Sequence, residues 1–223
     1  MRTTTPERIL VLAAHPDDDV IGCGGTVIQH IDAGDEVRIT YTSSGEAGNW
    51  DTEPTILGPK REQEAARAAD ILGIGKTSLI FLRHPDKSIA KEASDIIPKV
   101  AQIITDFQPG RVYLPHANDG HPDHEAVHDI GMKALRTVRN VGSLANSATV
   151  LGYEIWKPIT APDVYQNIPA ATLDRKITAM RTHLSQLVKT AYDRMILEAA
   201  TRRGKDSGIY QYAEVFADYS SQI

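Results

Sequence analysis

The chain has a single cysteine, Cys23, and few aromatic residues, with Phe, Trp and Tyr making up 6% of it. No apolar run approaches the roughly 20 residues that a membrane span needs. One cysteine excludes an internal disulfide and any zinc site built from several thiolates. No basic tract is interleaved with aromatics, and the formal net charge is -5, which argues against nucleic acid as a partner. The opening MRTTTPER leads into ILVLAA, which His15 and three aspartates cut short before it reaches the length of a secretory signal. The expected compartment is therefore the cytoplasm. Cys23 reads as a small buried filler within a Gly-rich turn.

What is present is an alternation of short apolar runs with longer amphipathic ones. Strands are expected over 9–13, 37–42, 79–82 and 112–115. Helices are expected over 26–33, from Pro59 to Leu72, over 95–107, and from about Pro122 onward. Strand–helix alternation with short connections predicts an α/β fold: a Rossmann-like, mostly parallel sheet with helices on both faces. After Asn140 the pattern changes, and ATVLGYEIW and IYQYAEVFADY read as later strands with helices over 173–186 and 191–203 between them. No repeat, linker or low-complexity segment interrupts the chain, so residues 1–223 read as one domain.

The chemistry is concentrated in two segments. His15-Pro16-Asp17-Asp18 follows the first strand, and His121-Pro122-Asp123-His124 follows the fourth. Each places two metal-ligand types at i and i+3, with a proline fixing the backbone between them. Ligands of open parallel sheets collect beyond the carboxyl ends of the strands, so both segments are expected on one edge. Imidazole and carboxylate together suit zinc, iron(II) or a similar divalent ion. Neighbouring side chains diverge, so one of Asp17 and Asp18 can ligate while the other accepts a proton from water. Spacing alone does not say which does which, nor does it separate His121 from His124.

The chain supplies its own control in His84-Pro85-Asp86, where Lys87 takes the place of the second ligand. Other uses of the same residues compete. His124-Glu125-Ala126-Val127-His128 spells the H-E-x-x-H of zinc metallopeptidases. His15, Asp17 and His124 could form the two-histidine-one-carboxylate triad of iron(II) oxygenases. A metal that merely orders a loop would make the chain a non-catalytic binding module.

VLAAHPDDDVIGCGGT together with HPDH resembles the PIG-L/LmbE-like zinc-dependent N-deacetylases, which remove acetyl groups from N-acetylglucosamine-type substrates. SSGEAG, REQEAARAADILG and KITAMRTHLSQ resemble further segments of that family, so the likeness extends over most of the chain. One departure is Asp19, where the family usually has glutamate. The resemblance implies zinc held by His15, Asp18 and His124, with Asp17 as general base and a protonated His121 stabilising the oxyanion, the proton for the departing amine coming from His121 or from Asp17. It implies Glu46, Arg61 and Asp86 as substrate contacts, an amino-sugar conjugate as partner, and self-association into oligomers, for which the sequence offers no visible seam. Selectivity for the aglycone is expected from residues 43–58 and 140–148.

Overall fold

The structure is a computed structural model that describes residues 6–49, 51–144 and 147–223. Residues 1–5, 50 and 145–146 lie outside the described residues, and with them part of the leader reading and of the two loops expected to select the aglycone.

The first strand, β1 (Arg8–Ala13), is apolar almost throughout, and its side chains point alternately to the two faces of the sheet. Ile9 and Val11 enter one hydrophobic layer, while Leu10 and Leu12 enter the other. A strand buried on both faces belongs at the centre of a parallel sheet. β1 pairs in parallel with β2 (Glu36–Tyr41) on one side and β4 (Arg111–Pro115) on the other. β3 (Leu79–Phe81), β5 (Thr149–Tyr153), β6 (Val164–Asn167) and β7 (Ala213–Asp218) complete a sheet of seven strands among the described residues, in the order β3-β2-β1-β4-β5-β7-β6. The first five run parallel, and β7 lies antiparallel to both β5 and β6.

The expected α/β sheet is therefore present, with its later strands added in the opposite sense. On one face lie α1 (Asp18–Asp32), α2 (Pro54–Leu72), α5 (Ala170–Met180) and α7 (Tyr192–Ser207). On the other lie α3 (Ala93–Phe107) and α4 (Pro122–Asn140). Short α6 (Leu184–Leu187) sits beside α2. The strand order reverses between β1 and β4, the point at which an open α/β sheet leaves a crevice. Both His-Pro-Asp segments leave the sheet there.

Three boundaries differ from expectation for physical reasons. Helix α1 begins at Asp18 rather than near 26, and runs through the glycines with a break at Cys23, where φ is -140°. The glycines serve close packing: a Cβ on Gly22 would strike the Tyr153 ring, and one on Gly25 would meet the Glu214 carboxylate. Amide N–H groups freed at the break, on Gly25 and Thr26, donate to the two oxygens of Glu214 at 2.8 Å each. Helix α2 starts at Pro54, where the missing N–H costs no helical bond, and continues through Pro59. The predicted helix over 173–186 is two helices, separated at Arg181–His183.

Candidate metal centre and cleft

At the end of β1, Pro16 holds a tight turn and Asp18 folds back over it. Asp18 Oδ2 accepts the N–H groups of Ala14 (3.0 Å) and His15 (2.8 Å). Across the crevice, Pro122 opens α4 with His121 as its N-cap, and this puts His124 in the first turn, facing β1. The result is a convergence. His124 Nε2 lies 3.3 Å from His15 Nδ1 and 3.4 Å from Asp18 Oδ1, and His15 Nδ1 lies 3.6 Å from Asp18 Oδ2. Donor atoms bonded to one tetrahedral ion at about 2.1 Å sit about 3.4 Å apart, so the set fits a divalent cation in size as well as in chemistry.

The outer nitrogens explain why the inner ones are free. His124 Nδ1 donates to Asp119 Oδ1 at 2.6 Å. His15 Nε2 donates to Asp86 Oδ1 at 3.1 Å and lies 3.4 Å from Asp123 Oδ2. With the protons held on the outer nitrogens, both inner lone pairs face the shared point, as metal-binding histidines require. All three residues are buried. Although burial opposes it, Asp18 and Asp119 push His124 up to about 9, and His15 is likewise raised by Asp123, Asp18 and Asp86. A cluster that draws protons onto its imidazoles demands positive charge, and a divalent ion supplies the same charge at the same point.

The three consecutive aspartates separate. Asp18 joins the donors, and against the effect of burial the two histidines hold its carboxyl well below the usual range. Asp17 turns to α2, where Arg61 Nη2 donates to its Oδ1 at 3.0 Å. Burial pushes the Asp17 carboxyl up, and the guanidinium offsets part of that rise. Asp19 points inward to the Tyr41 phenol and is pushed up to about 7 by burial. Cys23, beneath them, is buried, and its thiol is pushed well above the ordinary range, as expected of an inert filler. It fills a helix, not the expected turn.

A cleft of about 180 Å³ opens over the cluster, lined by Asp17, Arg61, Asp86 and His121 among others. His121 Nδ1 accepts the Asp123 N–H at 3.2 Å, which leaves the ring proton on Nε2. Burial, with the neighbouring His124 and His15, lowers its pKa, so the ring is neutral. Arg61 is also held by the Gly45 carbonyl (2.9 Å), and Asp86 Oδ2 accepts the Ala47 N–H (3.0 Å). Glu46 receives the Asp86 N–H at 2.8 Å and stands behind the cleft wall.

The H-E-x-x-H reading does not assemble. His128 Nδ1 donates to the Pro115 carbonyl at 2.9 Å and its ring packs on Tyr219, while Glu125 accepts the Gly120 N–H at 3.0 Å. Both are committed to holding the start of α4. The triad with Asp17 does not form either, because Asp18 is the carboxylate that meets both imidazoles. Sequence reasoning missed Asp119, Asp123, Trp156 and Tyr192. For Asp119 a signal existed, since it lies five residues before His124 in HANDGHPDH. Trp156 and Tyr192 line the cleft from distant segments and carried none.

Residues 10–135 match the protein-family model described as PIG-L: GlcNAc-PI de-N-acetylase. The chain is 29% identical over 182 residues to the uncharacterized deacetylase YaiS of Escherichia coli K12, covering 79% of this chain and 90% of that protein. It is 28% identical over 226 residues to the diacetylchitobiose deacetylase of Thermococcus kodakarensis, covering 93% and 81%. Among solved structures, GalB, the 4-carboxy-2-hydroxymuconate hydratase of Pseudomonas putida KT2440, superposes with a TM-score of 0.84 at 21% identity over 96% of each chain. That likeness is one of fold.

Proposed function

The chain belongs to the PIG-L family, and from that membership we propose that it is a metal-dependent N-deacetylase. It hydrolyses the N-acetyl group of an N-acetylglucosamine-type conjugate to acetate and a free amine. The observation that carries this reading is the placement of Asp17 beside three converging donors without joining them. His15, Asp18 and His124 are the residues that hold the ion. The donor set suits zinc, and iron(II) shares the preference.

A divalent cation bound there supplies Lewis acidity and lowers the pKa of water. Asp17, fixed through Oδ1 by Arg61, accepts the proton of the attacking water. As the water oxygen adds to the acetyl carbon, negative charge develops on the amide oxygen. The Nε2–H of neutral His121 donates to that oxygen, an effect of a few kcal/mol for a well-placed donor. Asp17 then returns the proton to the departing nitrogen, and the amine leaves neutral. Arg61 and Asp86 line the cleft and, with Glu46 behind them, remain the proposed substrate contacts; the same side chains also position the site, Arg61 the base, Asp86 His15, and Glu46 Asp86. We take residues 1–223 as one working unit, which Glu214 supports by tying β7 to the helix that begins at the metal turn. We place the reaction in the cytoplasm.

Acetate release from a panel of N-acetylglucosamine conjugates tests the reaction. Asp17→Asn keeps bound metal and lowers kcat by about 10²–10⁴-fold. A variant of normal rate removes Asp17 from the role of base, and no acetate from any conjugate removes the reaction itself.

A further inference from the structure

Trp156 is 45% exposed, yet its backbone is tightly held. Asp119 Oδ2 accepts the N–H groups of Ile155 (3.1 Å) and Trp156 (2.9 Å), while Oδ1 of the same fully buried carboxylate holds His124. One side chain thus fixes the Trp156 loop relative to the metal ligand. The indole meets Tyr192 edge-on, with ring centroids 5.8 Å apart. A large apolar ring held in place but left open at the lip of a cleft is arranged for contact with something that enters.

Ile21, Ile155 and Trp156 line the metal cleft and also a second hollow of about 160 Å³. The two hollows adjoin along these side chains. The second hollow is charge-balanced. Arg203 Nη2 pairs with Glu154 Oε2 at 2.6 Å, and Lys176 Nζ with Glu214 Oε1 at 2.6 Å. Of its remaining charged residues, Glu198 and Arg202 are exposed and of opposite sign, and Arg202 Nη2 lies 3.7 Å from Glu154 Oε1. An anionic ligand needs a surplus of cationic donors, which the lining does not provide. A neutral polyol needs an apolar face to lie on, with donors and acceptors of both signs around it.

We infer that this hollow, with Trp156 at its lip, binds a neutral pyranose unit linked to the amino sugar being deacetylated. The C–H face of that second ring lies on the indole, and its hydroxyls reach Glu198 and Arg202. This rests on the deacetylase reading, which supplies the first ring.

The test compares kcat/KM for N-acetylglucosamine, for N,N′-diacetylchitobiose, and for an N-acetylglucosamine conjugate with a carboxylate aglycone. Wild-type protein prefers the disaccharide to the monosaccharide by about tenfold, equivalent to about 1.4 kcal/mol. Trp156→Ala brings that ratio to about 1, and Trp156→Phe lies between. A wild-type ratio near 1, a ratio unmoved in Trp156→Ala, or a preference for the anionic conjugate overturns the inference. Calorimetric titration of metal-loaded protein with diacetylchitobiose separates the two readings. If no acetate is released but the disaccharide binds about tenfold more weakly to Trp156→Ala, the reaction fails and the subsite stands. If acetate is released and Trp156→Ala binds the disaccharide as wild type does, the subsite fails and the reaction stands.

Discussion

The sheet carries a group of histidine and carboxylates at each end, and each brings three ligand-type atoms within 4.8 Å of one another. At the carboxyl end are His15, Asp18 and His124. At the amino end are His30, Asp35 and Glu7. In the first, every outer ring nitrogen is tied to a carboxylate and every inner one faces the shared point. In the second, His30 Nδ1 meets Asp35 Oδ2 at 2.7 Å and Nε2 meets the Tyr113 hydroxyl at 3.0 Å. Asp35 Oδ1 accepts the Glu7 N–H at 2.9 Å, and Arg111 lies 3.6 Å from Glu7. Both nitrogens of His30 are spent within the protein, so this cluster is a structural tie between the start of the sheet and the end of α1. Composition does not distinguish the two groups; the direction of the unshared lone pairs does.

The sharpest way to break that comparison is to count metal. His15→Ala lowers bound metal, measured by elemental analysis, from about one ion per chain to nearly none, and turnover falls with it. His30→Ala keeps its metal and loses about 1–2 kcal/mol of stability, because buried partners lose their hydrogen bonds. Metal retained in His15→Ala and lost in His30→Ala would exchange the roles of the two ends.

A smaller effect tests the outer shell. Asp119→Asn keeps the shape of the side chain but no longer draws the proton of His124 to Nδ1. Metal affinity, read by chelator competition, drops about 10–100-fold. Asp35→Asn, the equivalent change at the amino end, leaves it unchanged. Equal affinities in wild type and Asp119→Asn would mean that the tautomer of His124 is set elsewhere.

Much of this was legible in the sequence, and the limits have physical causes. β1 was read to within a residue because five of its six residues are apolar and fully buried. β6 was missed because VYQN is short, half-buried and at the sheet edge, where no face demands apolar residues. The two metal segments could be placed on one edge because parallel strands fix where loops emerge. The division of labour between Asp17 and Asp18 could not be read, since adjacent residues share every spacing argument. What separates them in the structure is Arg61, from a helix that begins beyond the next strand, which pairs with Asp17 while Asp18 lies beside both imidazoles. Asp119 acts through residues 155 and 156, and that link exists only because β4 and β5 are neighbours. The superposition on a hydratase sets a matching limit on structure: architecture alone does not name a reaction. Side chains at the crevice do.

A third kind of histidine sharpens the comparison with the smallest expected effect. His183 is wholly buried, and among the described residues neither of its ring nitrogens has a hydrogen-bond partner. Burial, with the positive charges of Arg61 and Arg67, pushes it down to about 3. It is therefore neutral in the folded protein, whereas in the unfolded chain it titrates at about 6.5. Below that value the unfolded chain binds a proton that the folded protein does not, so stability is full above pH 6.5 and declines as the pH falls toward 3. By pH 5 the loss from this residue is about 2 kcal/mol. Urea unfolding at pH 7 and pH 5 measures it: wild type loses about 2 kcal/mol more than His183→Leu over that interval. Because carboxylates common to both proteins cancel in the difference, equal losses would mean that His183 takes up its proton in the folded state, through a partner that neutralises the pull of the two arginines.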